Sequence, residues 1–109
     1  MVKMTFGVGL DYDGGGRALG DEAKERMRTD NAIKELSQRF GGCFVTKGNG
    51  GWMDGGKLIA EQGLQFTCLS DVFVAKDRAK LAARWLKKEF KQKSVVLTWE
   101  LCEVLYVED

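Results

Sequence analysis

Hydrophobic and polar residues alternate at the start of the chain. From Val2 to Tyr12 every even position is apolar, and every odd position is lysine, threonine, glycine or aspartate. A period of two over this length predicts a β-strand with one buried and one open face. Asp13 and the glycines 14–16 follow directly and end the strand.

Two longer segments have the spacing of amphipathic helices. Asp21 to Phe40 places apolar residues near one face and charges opposite, and two glycines follow it as a stop signal. Asp77 to Lys91 carries an apolar stripe and ends in lysines, where the helix dipole favours cations. We predict one α-helix over each segment.

Three further strands are predicted from Cys43 to Lys47, from Lys57 to Leu69 and from Ser94 to Val107. Segment 48–56 holds five glycines and Trp52, and we predict a mobile loop that joins the second and third strands as a long hairpin. Trp85 and Trp99 fall on apolar stripes, so both are expected in the core.

The predicted order is strand, helix, strand, strand, helix, strand. This order favours an α+β fold, the ferredoxin-like βαββαβ sandwich, with a four-stranded antiparallel sheet and two helices on one face. The 109 residues suit one such domain, which we assign to 1–109.

Charge and composition exclude several classes of function. Lysine plus arginine total 17 and aspartate plus glutamate 16, so a net charge of +1 gives no field for a polyanion, and nucleic-acid binding is not expected. The sequence has no histidine, which removes Ser-His-Asp and Cys-His catalysis and histidine-ligated zinc.

The three cysteines, Cys43, Cys68 and Cys102, are widely spaced and contain no C-x-x-C. We therefore expect three free, buried thiols in a reducing environment, with no metal and no cofactor. No apolar run approaches the ~20 residues of a membrane span, and no signal peptide is evident. These features predict a cytoplasmic protein without membrane contact.

Pleat geometry leaves the odd-numbered face of the first and third strands uncovered. Glycines there permit close approach of another group, because they carry no side chain. We expect this face to be either a solvated sheet surface or a trough that holds a ligand. The candidate ligand-binding residues are Thr5, Gly7, Gly9, Arg17, Lys47, Trp52, Glu61, Gln65 and Thr98.

Three features add possible chemistry to that face. Glu61 and Glu100 are expected on it, and two carboxylates can divide acid and base work. Segment 14–17 is a glycine-rich turn before a helix, which either presents N–H groups to a phosphate or is a plain connection. Trp52 either stacks on a planar ligand or pins the hairpin to the sheet edge.

A set of short motifs supports the same fold. These are Phe6-Gly7-Val8-Gly9-Leu10 in the first strand, Gly51-Trp52 with Asp54-Gly55-Gly56 in the hairpin, and Glu61 before an apolar strand. This combination resembles a small uncharacterised bacterial and phage family of ferredoxin-like domains. The resemblance implies that fold and brings no established activity.

These observations favour a small non-enzymatic binding module that works as a homodimer. It would hold a small polar ligand such as a nucleotide, or a protein partner, on the open sheet face. One alternative is a phage accessory protein that inhibits a host defence system by sequestering a ligand or by contacting a host protein. The other is a small histidine-free enzyme that uses Glu61 or Glu100 as acid or base.

Overall fold

The computed structural model of the chain describes residues 1–72 and 74–109. Both helices begin and end within two residues of their predicted bounds. In chain order the elements are β1 (Val2–Gly9), α1 (Glu22–Phe40), β2 (Phe44–Asp54), β3 (Lys57–Ser70), α2 (Ala75–Glu89) and β4 (Val96–Leu101).

The four strands form one antiparallel sheet in the order β2-β3-β1-β4. The two helices lie side by side against one face of it, with α1 on β3 and α2 on β1 and β4. This is the ferredoxin-like sandwich that the order of elements predicts, and the fold class is confirmed.

The core lies between the helices and the even-numbered side chains of the two central strands. Burial along β1 alternates residue by residue, as the sequence pattern predicts. Phe6 of β1 stacks on Phe40 of α1, and Phe66 of β3 packs against Phe90, with ring centroids 6.2 and 5.9 Å apart. The fully buried large side chains are Met4, Phe6, Leu36, Phe66, Cys68, Leu86 and Phe90.

Helix α1 is closed at both ends by residues with the required chemistry. The Asp21 carboxylate accepts hydrogen bonds from the N–H groups of Ala23 and Lys24 at 3.0 and 3.2 Å. These two donors have no partner within the helix, so the cap fixes its start. Gly41 has a φ of 86°, a left-handed conformation that suits glycine, and ends the helix.

The prediction of a loop over 48–56 is wrong for most of that segment. Strand β2 continues to Asp54 and pairs with β3 throughout, with Gly48 opposite Gly63 and Trp52 opposite Ile59. Glycines have no side chains and therefore show no alternating pattern. The strand conformation of this segment comes from main-chain pairing with the long strand β3. The chain reverses at Gly55-Gly56, whose positive φ angles suit a tight hairpin turn.

The last strand is shorter than predicted, and Trp99 lies outside the core. Strand β4 ends at Leu101 rather than Val107. Trp99 is 40% exposed, and the ammonium of Lys76 lies 5.5 Å from the centre of its ring. Because β4 is an edge strand, its outer side has no neighbour to cover a large ring.

The expectation of three buried thiols is wrong for two of the three cysteines. Cys68 on the central strand β3 is buried, whereas Cys43 and Cys102 are partly exposed. Cys43 precedes edge strand β2 and Cys102 follows edge strand β4, so neither has a strand on both sides.

Candidate functional site

The sheet face opposite the helices carries a wide open cleft, which we call the glycine cleft. It has a volume of about 1180 Å³. Its floor and walls come from β1, β2 and β3, and its rim from segments 12–16 and 92–96. The glycines among its lining residues are Gly7, Gly9, Gly14, Gly15, Gly16, Gly48, Gly50, Gly51 and Gly63.

At two floor positions the space that a side chain would need is taken up by neighbouring atoms, by backbone at Gly63 and by the Glu61 side chain at Gly9. Gly9 and Gly63 lie directly opposite each other on β1 and β3. A methyl group at Gly63 would sit 2.9 Å from the carbonyl oxygen of Val8, and one at Gly9 would overlap the Glu61 carboxylate. At these two positions the open face of the sheet therefore carries no side chain of its own.

Glu61 fills the space that these glycines leave. It lies on β3 opposite Gly50 of β2, and its carboxylate rests over Gly9 of β1. The residue is only 9% exposed. Its Oε2 atom is buried and has no hydrogen-bond partner among residues 1–72 and 74–109. Buried carboxylate oxygens are normally hydrogen-bonded, so this oxygen has room for one further donor.

The surroundings of Glu61 raise the pKa of its carboxyl group above the ordinary value. Burial raises the pKa of its carboxyl group, and the charge of Asp11 raises that pKa further. The N–H groups of Tyr12 and Asp11 act in the opposite direction but do not cancel the burial. Glu61 is thus a stronger base than an ordinary glutamate.

Gln92 holds the rim of the cleft beside Glu61. Its side-chain oxygen accepts a hydrogen bond from the N–H of Gly9 at 3.2 Å. Its side-chain nitrogen donates to the carbonyl oxygens of Tyr12 and Phe90 at 3.0 and 2.9 Å. One side chain therefore ties the end of β1 to the segment after α2, and fixes the edge of the cleft.

Six of the predicted ligand-binding residues line the glycine cleft, and three do not. The six are Gly7, Gly9, Lys47, Trp52, Glu61 and Gln65. Thr5 and Thr98 face each other further along the sheet, on β1 and β4, and Arg17 lies outside the lining.

Trp52 reaches the cleft from a strand rather than from a mobile loop. It lies on β2 two residues beyond Gly50, on the same face of that strand, and it is 47% exposed. A tryptophan held by a β-ladder offers a fixed apolar wall and not a swinging lid.

Lys47 and Arg17 have partners within the fold. The Lys47 ammonium lies 3.2 Å from the Glu25 carboxylate of α1, on the helix side of the sheet. The N–H groups of Gly15 and Arg17 both donate to the Asp13 carboxylate at 2.9 Å. This contact lowers the pKa of Asp13, and it occupies the N–H groups that a phosphate would need.

The structure does not bring Glu61 and Glu100 together. Glu100 lies on β4 opposite Lys3, with 3.5 Å between their charged atoms. Lys3 is also opposite Leu69, eight residues along β3 from Glu61. At ~3.3 Å per residue the two glutamates are separated by about 25 Å along the sheet.

Sequence reasoning missed Tyr12, Gln92 and Gly50 as parts of the site. Tyr12 ends the alternation of the first strand just before the glycine turn, and that position is a usable signal. Gln92 and Gly50 carry no such signal, because their roles come from contacts with distant residues.

The described part of the chain shows neither a metal site nor a membrane-spanning helix. Within residues 1–72 and 74–109, no group of three or more acidic or cysteine side chains is placed to hold a metal ion. Over the same residues, no helix has both the length and the apolar character to cross a lipid bilayer.

The fold is shared with solved structures of other proteins. A phage SAM lyase in complex with S-methyl-5′-thioadenosine matches with a TM-score of 0.66 and 17% identity over 91% of this chain and 79% of that one. The periplasmic divalent cation tolerance protein CutA from Archaeoglobus fulgidus gives 0.61 and 6% over 97% and 88%. CutA from Synechococcus elongatus PCC7942 gives 0.55 and 10% over 91% and 73%.

No family model and no curated protein matches the sequence. At these identities the structural likeness shows a common ferredoxin-like fold.

Replacement of Glu61 by glutamine tests the electrostatics of the site. The folded-state pKa of Glu61 lies above its ordinary value of 4.5. At pH values between these two pKa values folding takes up a proton, so the free energy of unfolding falls as the pH rises through that window. We expect Glu61→Gln to raise the melting temperature at pH 7, by ~4–8 °C for each kcal/mol gained, and to lose this advantage below pH ~4.

The matched control is Glu100→Gln, since Glu100 is an exposed partner of Lys3. It should leave the pH dependence of melting unchanged. If Glu61→Gln instead melts lower than the natural protein at pH 7, the ionised carboxylate stabilises the fold and our account of the site is wrong.

Proposed function

We propose that the glycine cleft binds an adenosine compound with a thioether or sulfonium group, the class that includes S-methyl-5′-thioadenosine and S-adenosylmethionine. The observation that carries this proposal is the buried Oε2 atom of Glu61, which has no hydrogen-bond partner among the described residues. A ligand that supplies a donor to this oxygen would remove an energetic cost of folding.

The chemistry of adenosine fits a carboxylate in that position. An ionised carboxylate only accepts hydrogen bonds. Adenosine offers donors in its amino group and its ribose hydroxyls, and a sulfonium adds a positive charge. A hydrogen bond to a charged group contributes about 1.5–3 kcal/mol net of the hydrogen bonds to water that it replaces. Burial of Glu61 keeps water away from one side of it.

The walls of the cleft suit a flat, partly apolar ligand. Trp52 and Tyr12 line it, and both are partly exposed. A purine base can stack on such aromatic rings. Gly7 and Gly63 leave the floor open to close approach, and Gln65, directly opposite Gly7, adds an amide.

The fold likeness supports the choice of this ligand class over other polar molecules. The phage SAM lyase that shares the fold was solved with S-methyl-5′-thioadenosine bound. If this chain binds the same class without turning it over, it would act by sequestration, as expected for a phage accessory protein.

Titration calorimetry with S-methyl-5′-thioadenosine tests the proposal. We expect saturable binding by the natural protein and a loss of affinity of about 10-fold or more in Glu61→Gln, because the charged acceptor is gone. Trp52→Ala should weaken binding by about 3–10-fold through loss of stacking.

Glu100→Gln is the matched control and should bind like the natural protein, since Glu100 lies far from the cleft along the sheet. Absence of binding to S-methyl-5′-thioadenosine and to S-adenosylmethionine would exclude this ligand class. Equal affinities in the natural protein and Glu61→Gln would exclude Glu61 as its acceptor.

The raised pKa of Glu61 favours a second candidate, a lyase that cleaves the bound sulfonium. The bond between sulfur and the aminobutyrate chain would break, and its electron pair would leave with neutral S-methyl-5′-thioadenosine. Glu61 would take the proton from the adjacent carbon, where a carbon–carbon double bond forms. In a sequence without histidine a carboxylate is one of the side chains that can do this work, and burial makes Glu61 a stronger base than an ordinary glutamate.

Chromatography of S-adenosylmethionine incubated with the protein tests the lyase. We expect S-methyl-5′-thioadenosine to accumulate, more slowly at low pH because Glu61 must be ionised, and Glu61→Gln to lower the rate by about 10²–10⁴-fold. Glu100→Gln should react at the natural rate. Binding without product formation would leave the sequestration function and exclude the lyase.

We also propose that the chain forms a homodimer through its open sheet face. Phe44 and Val96 lie on that face and are largely exposed, and Trp52 adds a third apolar group. Pairing two such faces would bury these side chains and close the cleft to bulk water.

Sedimentation equilibrium tests the homodimer. We expect a dimer for the natural protein and a monomer for Phe44→Lys, because a buried ammonium without a partner opposes association. The control Leu81→Lys changes an exposed residue of α2 on the other side of the sheet and should stay dimeric. A natural protein that is monomeric at every concentration would overturn the proposal.

A further inference from the structure

Cys43, the residue before β2, and Cys68 of β3 lie opposite each other at one end of the β2–β3 ladder. Phe44 is paired with Thr67, and the strands are antiparallel. One step outward therefore places Cys43 opposite Cys68. Opposite residues of antiparallel strands have Cα atoms about 4.5 or 5.5 Å apart. Both separations fall within the ~4.4–6.8 Å found in disulfides.

The side chains of this pair meet on the helix side of the sheet. Cys68 belongs to the core, and Cys43 packs against that core from the start of the edge strand. The two thiols are near enough for each to shift the pKa of the other, and the Cys43 thiol donates to the carbonyl oxygen of Phe44 at 3.6 Å. Both cysteines are free thiols in the structure.

The two thiols are chemically unequal. Interaction with the Cys68 thiol lowers the pKa of Cys43, whose thiol is partly exposed. The same contact and burial raise the pKa of Cys68, which is only 1% exposed. An accessible thiol with the lower pKa is the one that meets an oxidant, and its buried neighbour is placed to complete the reaction.

We propose that Cys43 and Cys68 form a peroxide-sensitive thiol pair that closes to a reversible disulfide. The Cys43 thiol ionises, and its thiolate attacks one oxygen of hydrogen peroxide. The O–O bond breaks to give a sulfenic acid and hydroxide, and the hydroxide takes up the proton that the thiol released to become water. The Cys68 sulfur then attacks the Cys43 sulfur, and the S–S bond forms. The sulfenic oxygen leaves with the Cys68 proton as a second water molecule.

The bond would tie the first residue before edge strand β2 to the central strand β3. Cys43 follows the left-handed Gly41 that ends α1, so the cross-link also fixes the passage from helix to strand. An edge strand has a neighbour on only one side, and a covalent link at its end opposes fraying. The oxidised protein should therefore melt at a higher temperature than the reduced one.

Mass spectrometry of the full chain tests the proposal. The reduced protein, freed of reductant, is treated with equimolar hydrogen peroxide. We expect a mass loss of about 2 Da, a fall in titratable thiols from three to one, and full reversal by dithiothreitol. A non-reducing peptide map should join the peptides that contain Cys43 and Cys68.

Three variants separate the pair from the remaining cysteine. Cys102→Ser should still lose two hydrogens, while Cys43→Ser and Cys68→Ala should not, with circular dichroism showing that each is folded. Cys43→Ser changes a partly exposed residue, so its result stands even if Cys68→Ala unfolds. A cross-link through Cys102, a disulfide between chains, or stepwise oxygen addition without the mass loss would overturn the proposal.

Discussion

The position of β1 at the centre of the sheet determines which side chains the helices cover. It is paired on both sides, with β3 and with β4. Because opposite residues of paired strands point to the same face of the sheet, the register with β1 fixes which side chains of β3 and β4 point towards the helices. Its even-numbered residues are apolar and buried, and its odd-numbered residues include two glycines on the other face. The same period of two that builds the core therefore leaves the opposite face low and open, and the glycine cleft exists because of it.

Local patterns were sufficient to predict the parts of the fold that carry large apolar side chains. The alternation of β1 and the capped amphipathic α1 belong to this group, since each is encoded within about 20 residues of sequence. Residues 48–54 lack such a pattern because four of them are glycine or asparagine, and their strand conformation comes from pairing with β3. Trp99 was misplaced because periodicity shows which face a residue takes and not whether that face is covered at the sheet edge.

The candidate site, like the fold, could be predicted from the sequence only in part. The pleat predicts the face on which Glu61 lies, and the strand glycines indicate the close approach beside it. Its burial does not follow from the pattern, because it depends on Gly9 and Gly50, which are 52 and 11 residues away in the sequence. Glu100 looked equivalent in sequence, but it lies at the far end of the sheet and is paired with Lys3. The pairing register of distant strands decides which carboxylate is buried and which is solvated, and a single sequence does not reveal that register.

The thiol pair and the glycine cleft occupy different places on the same strand. Cys68 and Glu61 are seven residues apart on β3, which is about 23 Å at ~3.3 Å per residue. An odd separation also puts them on opposite faces, with Cys68 under the helices and Glu61 in the cleft. Under the two proposals, oxidation of the pair would stiffen one end of the β2–β3 ladder, while a ligand would bind at the other. A protein that loses the disulfide would therefore keep its cleft, and one that loses Glu61 would keep its thiol chemistry.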